Sequence, residues 1–353
     1  MNCRGISNEK KRRDVFHYLR GLNFSLYFLQ DTHFSPENES RIRNEWGLDV
    51  HFSSFSSNSR GVAILFNNNI QYMILDVVKD INGNFLILKV EMLDKIFVMV
   101  NVYGPNDDRP EFYARLEERI EELGQYENLI IGGDWNLVRN FEKDCHNYRR
   151  QNNLEASKQV DELCSNLDLI DVWRQCNPDR RRYTWRRTTP TQQSRLDYFL
   201  ISDLLAINTS HVDILPGYRT DHSIITLSLK FGDDHPRKSF WKFNCSLLSD
   251  KAYVDNVNEL IFEVLTEYAA FPYNRSELHN VQISDVNLTI SDELFLDVLL
   301  MKIREKTIFY ATEKKKKLQE KEDTLNNKIN QLEAKNTLDQ EEKKTSKRNQ
   351  KMN

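Results

Sequence analysis

Seven short apolar runs punctuate the chain before residue 230: Leu26–Gln30, Gly61–Phe66, Asn84–Leu93, Lys95–Tyr103, Leu129–Asp134, Leu196–Ser202 and Ser223–Leu229. They are rich in β-branched and aromatic residues and bounded by Gly, Asn, Asp or Pro, the pattern of buried strands. Helical patterns lie between them. Glu9–Leu22 carries Val15, Phe16, Leu19 and Leu22 at helical spacing. Pro110 opens and Gly124 closes a segment that lines up Phe112, Leu116, Ile120 and Leu123. A third such segment aligns Val160, Leu163, Cys164 and Leu167. Strands that alternate with helices, and in the middle follow one another directly, predict a layered α/β domain with partly antiparallel sheets that closes near Phe231.

The remainder of the chain is different. Gly232–Lys238 is polar and contains Pro236, so residues 232–240 read as a linker. Residues 241–353 read as a helical, charged, partly disordered extension. Leu318, Leu325 and Leu332 recur every seven residues there, the start of a coiled-coil pattern. The net charge of −4 conceals an asymmetry. From Met301 onward 15 Lys and Arg face 9 Asp and Glu, which leaves 34 against 44 in the first 300 residues. An acidic body is no general nucleic-acid binder, but it is compatible with an enzyme that meets phosphate through a local basic patch and a metal. Five scattered cysteines without a C-x-x-C pair argue against a disulfide framework or a zinc site and fit a reducing compartment. No apolar stretch approaches membrane-spanning length and no secretory leader is evident, so an intracellular protein of nucleus or cytoplasm, not secreted, is expected.

The apolar runs share one more feature: polar residues gather at their ends. Leu129–Ile131 runs into Gly132-Gly133-Asp134-Trp135-Asn136. Were the backbone extended there, Asp134 and Asn136 would point to one face. Asp31 follows the first run, Tyr103 ends the fourth and Asn106 follows it, Arg195 and Asp197 stand at the start of the sixth, and Thr220-Asp221-His222 enter the last. Asn2 stands just ahead of a Gly turn. Buried strands tolerate such groups only where water, a metal or a ligand satisfies them.

In their order and spacing, "NCRGIS", "FLQDTHF", "VNVYGPN", "IIGGDWNLV", "YTWRR", "SRLDYFLIS" and "TDHSII" resemble the endonuclease domain of LINE-type non-LTR retrotransposons. That domain belongs with deoxyribonuclease I and the AP endonucleases in the endonuclease/exonuclease/phosphatase superfamily. The resemblance covers residues 1–231. It implies a four-layer α/β sandwich, two mixed, largely antiparallel sheets flanked by helices, followed by the C-terminal helical extension. It also implies Mg²⁺-dependent (alternatively Mn²⁺-dependent) nicking of one DNA strand. Residue by residue, it places Asp31, Asp221 and Asn2 near the metal. Asp134, Asn136, Asp197, His222 and Tyr103 take catalytic places, with Asp197 paired to His222, and Asn2, Tyr103 and Asn106 contact the scissile phosphate. Thr184 matches a substrate-contacting position. Arg182, Arg186 and Arg187, with Arg195 and Thr220, are expected on the DNA side, and Arg187–Ser194 reads as a hairpin tip that enters the minor groove. The basic tail is a candidate RNA contact.

Two departures stand out. Asp31 occupies a place where the family carries Glu, which retracts the carboxylate by about 1.5 Å, one C–C bond, against the narrow ligand distances of Mg²⁺. Asn2 follows Met1 directly, so the strand expected ahead of it is missing and a neighbouring strand edge is left unpaired. No reverse-transcriptase motif follows. The alternative reading is therefore a catalytically impaired remnant that acts as a nucleic-acid-binding or interaction module.

Overall fold

The computed structural model describes residues 1–189, 191–231, 243–271 and 286–352; the linker expected at 232–240 lies outside the described residues. Two compact units divide the chain, Met1–His235 and Pro236–Asn353.

Strands of the first unit send alternate residues into different cores. β1 (Leu26–Leu29), β2 (Val50–Ser53) and β3 (Val62–Phe66) form an antiparallel sheet in the order β1-β3-β2. A six-stranded sheet has the order β4-β5-β6-β7-β12-β9. It contains β4 (Met73–Lys79), β5 (Phe85–Met92), β6 (Lys95–Tyr103), β7 (Asn128–Asp134), β9 (Leu169–Asp171) and β12 (Asp197–Ser202). Only the β6–β7 pair of this sheet is parallel. Side chains alternate faces along each strand. Val62, Ile64 and Phe66 therefore turn toward Leu86, Leu88 and Val90 of β5 and form the core between the sheets. Ala63 and Leu65 face the other way, onto Phe16, Leu19, Ile42 and Trp46 of the helices α1 (Glu9–Leu22) and α2 (Glu39–Trp46). Phe85 and Ile87 likewise face α3 (Pro110–Glu121) and α5 (Leu154–Asn166). Helices, sheet, sheet, helices: the four layers expected from the sequence are the ones observed.

Shorter elements complete the unit. α4 (Phe141–Asp144) leads into β8 (Cys145–His146), which pairs with the hairpin β10 (Trp185–Thr188) and β11 (Thr191–Ser194), and α6 (Val172–Cys176) follows β9. A separate antiparallel pair is formed by β13 (Thr209–Leu215) and β14 (Ile224–Leu229). Strands β2, β4 and β13 were not anticipated from the sequence. β4, Met73–Lys79, is apolar in sequence yet has no buried residue, and β13 buries only Ile214.

In the second unit, α7 (Lys251–Tyr268) packs Val264 and Leu265 against Phe295 of α8 (Asp292–Met352). Tyr253 of α7 shares a buried hydrogen bond of 2.7 Å with Thr307 of α8. No helix among the described residues is long and apolar enough to cross a membrane.

Candidate active site

Register builds the centre of the site. Tyr103, the last residue of β6, lies opposite Asp134 in the parallel ladder, and Asp134 lies opposite Asp197 in the antiparallel one. Directly opposed residues project to the same face. A phenol and two carboxylates thus stand in one row across the ends of three adjacent central strands, one strand spacing of about 4.8 Å apart. Gly133 permits the row: a Cβ there would lie 2.0 Å from the Val102 carbonyl oxygen.

The other sheet and the β13–β14 pair complete the site. Residue Asn2 forms a parallel bridge with Gln30 at the end of β1, and its Nδ2 donates to Asp134 Oδ2 at 2.8 Å. His222 arrives two residues before β14. It is held by a bridge to Trp185 and by a loop in which Gly217 approaches so closely that a Cβ would sit 1.8 Å from the His222 carbonyl. Thr220 Oγ1 accepts a 3.3 Å hydrogen bond from the His222 amide. The imidazole Nδ1 lies 3.0 Å from Asp197 Oδ2 and Nε2 lies 3.7 Å from Asp134 Oδ2. Asn2, Tyr103, Asp134 and His222 line a cleft of about 770 Å³ together with Asp31, Asn106, Asn136 and Asp221, with Asp197 buried behind His222.

Burial and mutual charge set the protonation states. Desolvation opposes a charged His222 ring, but the carboxylates of Asp197 and Asp134, with Asp221 further out, outweigh it and hold its pKa up at about 9. The ring is a cation at neutral pH, with both nitrogens as donors. Burial, reinforced by Asp197, raises the Asp134 pKa, while His222, Asn2 and the Asn136 amide pull against it. Burial first, then Asp31 and Asp134, pushes the Tyr103 phenol upward, so it stays a neutral donor.

Several expectations need correction. Asn136 does not continue an extended strand beside Asp134. β7 ends at Asp134, and Asn136 adopts a left-handed φ of 52°, which Asn tolerates. Its amide N–H donates to Asp134 Oδ1 (3.0 Å) and its Nδ2 to the Gly104 carbonyl (2.8 Å), so it shapes the turn under the cleft as well as lining it. Thr184 is fully buried, its hydroxyl accepting from the amides of Leu196 and Asp197, so it positions Asp197 from beneath and does not reach a substrate. Arg195 is not on the DNA side. Its guanidinium, 1% exposed, is clamped between Asp144 (2.8 and 2.9 Å) and Asp171 (2.7 and 3.1 Å). Arg182 is also buried, donating to the Ile214 carbonyl at 2.8 Å. In both cases the sequence showed a cluster of charges but not which of them point inward.

The other arginines differ. Arg187 is exposed on β10, and Arg186 is half-buried with Nη1 3.0 Å from Ser223 Oγ. Pro190, in the hairpin tip, lies outside the described residues. Sequence reading assigned no role to Tyr148, Arg150 or Arg4, all of which line the cleft, and Arg4 Nη1 sits 3.2 Å from Asp221 Oδ2. The Tyr-Arg-Arg cluster at 148–150, basic and aromatic in an acidic body, was the available signal.

Ligand atoms of Asp134, Asp197 and His222 lie within 4.8 Å of one another. His222 and Asp197 are committed to each other, so Asp134, together with Asp31 and Asn2 in the same cleft, supplies the donors that fit a hard divalent cation. Asp31 Oδ1 accepts from the Arg60 amide (3.2 Å) and lies 3.1 Å from His33 Nε2, which fixes its orientation.

Residues 1–222 match the endonuclease/exonuclease/phosphatase family. The chain is 31% identical over 264 residues to the Transposon TX1 uncharacterized 149 kDa protein of Xenopus laevis, covering 73% of this chain and 20% of that protein, so it spans about a fifth of the relative's length. In fold it is similar to an AP endonuclease from Leishmania major, with 15% identity, coverage of 65% and 86%, and a TM-score of 0.57. It is also similar to a 3′-5′ exonuclease from Neisseria meningitidis, with 18% identity, coverage of 64% and 98%, and a TM-score of 0.51.

Proposed function

The chain belongs to the endonuclease/exonuclease/phosphatase family, and from that premise we propose that it is a Mg²⁺-dependent phosphodiesterase that nicks one strand of DNA. The observation that carries the reading is the in-register row Tyr103–Asp134–Asp197 with a cationic His222 seated on it. A purely structural cluster has no need to keep a buried carboxylate behind an imidazolium that, with a second carboxylate, lines an open cleft.

The roles follow from the chemistry. Asp134 accepts the proton of the attacking water, whose oxygen bonds to phosphorus as the bond to the 3′ oxygen breaks. His222, held cationic and oriented by Asp197, stabilises the negative charge that gathers on the phosphoryl oxygens. Tyr103 and Asn106 donate hydrogen bonds to the phosphate without adding repulsive charge. Asn2 orients Asp134, and Thr184 and Thr220 hold Asp197 and His222 from behind. A Mg²⁺ held by Asp31, Asp134 and neighbouring oxygens would supply Lewis-acid stabilisation of the same charge. Arg187 on β10 and the exposed Arg180 and Arg181 ahead of it supply basic groups for the duplex backbone, and the hairpin β10–β11 lines the cleft through Trp185 and Ser194. The transposon relative supports a DNA target over a lipid phosphate.

The test is a nicking assay on supercoiled plasmid with Mg²⁺. Wild type converts the plasmid to open circles, while His222→Ala and chelated wild type do not. Equal conversion by wild type and His222→Ala, or hydrolysis of a phosphoinositide with none of DNA, would overturn the reading.

A further inference from the structure

The long helix α8 carries more apolar surface than α7 covers. Phe295, Val298 and Leu299 of α8 pack on α7, Lys302 Nζ reaches Glu267 at 2.9 Å, and Thr307 meets Tyr253. Leu294, Met301, Ile308, Leu318, Leu325 and Leu332 are left 43–61% exposed. Their spacing is regular. With 294, 301 and 308 as a positions of a heptad, 318, 325 and 332 fall at d, because Leu318 lies one heptad and three residues beyond Ile308. All six therefore stand on one seam, which runs from 294 to 332 and is about 58 Å long at 1.5 Å per residue. Ala311 and Ile329 fall on the same seam, with four charged residues, Asp297, Arg304, Lys315 and Glu322. A helix face that only meets water has no reason to hold its large apolar residues in one heptad register.

We infer that α8 pairs along this seam with α8 of a second copy of the chain, as an antiparallel coiled coil centred on Glu313. In an antiparallel pair the a positions of one helix pack beside the d positions of the other. Centred there, Leu294 faces Leu332 of the second copy, Met301 faces its Leu325, and Ile308 faces its Leu318. Arg304, exposed on the helix, faces position 322, a Glu, and the twofold axis repeats that opposite-charge pair. Ala311 faces Lys315, whose stem can lie across the small side chain while its ammonium stays in water. Asp297 against position 329, an Ile, is the mismatched layer, near the end of the seam. The charges decide both direction and register. A parallel pair would set Asp297, Arg304, Lys315 and Glu322 each against its own copy, four like-charge contacts. Sliding the antiparallel copies by one heptad would set Arg304 on Ile329 and Glu322 on Ala311, which separates the opposite charges. The antiparallel arrangement also opposes the two helix dipoles.

This inference is independent of the nuclease reading, and its test needs no cleavage. Sedimentation of the full chain at micromolar concentration is expected to give twice the 41.9 kDa mass of one copy. Leu325→Asp, at an exposed position, should return the single copy with near-ultraviolet circular dichroism unchanged. Arg304→Glu and Glu322→Arg should each weaken association tenfold or more, and the double variant should restore it. Direction is read by disulfide formation, with the exposed Cys176 and Cys245 changed to Ser. A mixture of Ile308→Cys and Leu318→Cys chains should crosslink, while neither variant alone should. A single-copy mass throughout overturns the inference and leaves the seam to a different chain. A mass of three or four copies overturns it as well, as does crosslinking of Leu318→Cys to itself, the mark of a parallel pair. A double charge reversal that associates no better than the single ones also counts against it.

Discussion

Replacing Asp197 with Asn isolates the charge coupling at the centre of the site. The substitution keeps shape and removes one of the two carboxylates that hold the His222 ring charged; Asp197 is the larger contributor and the one in direct hydrogen bond, at 3.0 Å. The ring's pKa stands at about 9, against an ordinary value of 6.5. That gap is roughly 3 kcal/mol at about 1.4 kcal/mol per pH unit. Asp134 remains, 3.7 Å away, so the variant should lose more than half of the gap but not all of it. Its ring is then expected to titrate about 1.5 pH units lower, near neutrality. Because the folded-state pKa is raised, the stabilisation is fully present below the unfolded value of about 6.5 and is lost as pH rises through about 9. Wild type should therefore lose stability between those limits, and the variant should show most of its loss by about pH 7.5. Urea unfolding of the metal-free protein from pH 6 to 10 measures this directly, with the His222 ring followed by NMR. The alkaline limb of the nicking rate should move down in parallel. Identical ring titration in both proteins would refute the claim that Asp197 holds His222 charged.

Three further outcomes are expected. Arg195→Met leaves Asp144 and Asp171 buried without their common partner and should cost about 3–5 kcal/mol in urea unfolding; a loss below 1 kcal/mol would mean that the clamp is incidental. Asp31→Glu advances the carboxylate by about 1.5 Å and should tighten Mg²⁺ binding and raise nicking, read by metal titration; an unchanged midpoint would show that Asp31 does not face the ion. Arg187→Ala should weaken plasmid binding uniformly across sequences and reduce the salt dependence by about one counterion, whereas an unaltered slope would place this arginine away from the backbone.

Much of this was legible before any coordinates. The six-stranded sheet was readable because β5, β6, β7 and β12 are apolar runs long enough to be buried, and the helices because their apolar faces repeat at helical spacing. Asp134, Asp197 and His222 could be picked out because polar groups at the ends of buried strands need a reason to be there. What escaped was direction. Nothing in the string Arg180–Arg187 says that Arg182 turns inward and Arg187 outward, because Arg182 lies ahead of β10 and is drawn in by the distant Ile214 carbonyl, while Arg187 sits on β10, whose register is set by β11. Arg195 looked like a DNA contact because its two carboxylate partners lie 24 and 51 residues earlier in the chain. The turn at Asn136 was misread because a left-handed residue breaks the two-residue alternation on which the reading relied.

The row Tyr103–Asp134–Asp197 owes its dimensions to backbone hydrogen bonds, so the chain tolerates length changes very unevenly. One residue gained or lost inside β7 or β12 would turn the carboxylates toward the interior and extinguish turnover at a stroke. The same event between Thr188 and Thr191, where two strands merely turn back on each other, would reshape what is gripped and leave the cutting edge as it was. In such a molecule, choice of target can drift while the chemistry stands still.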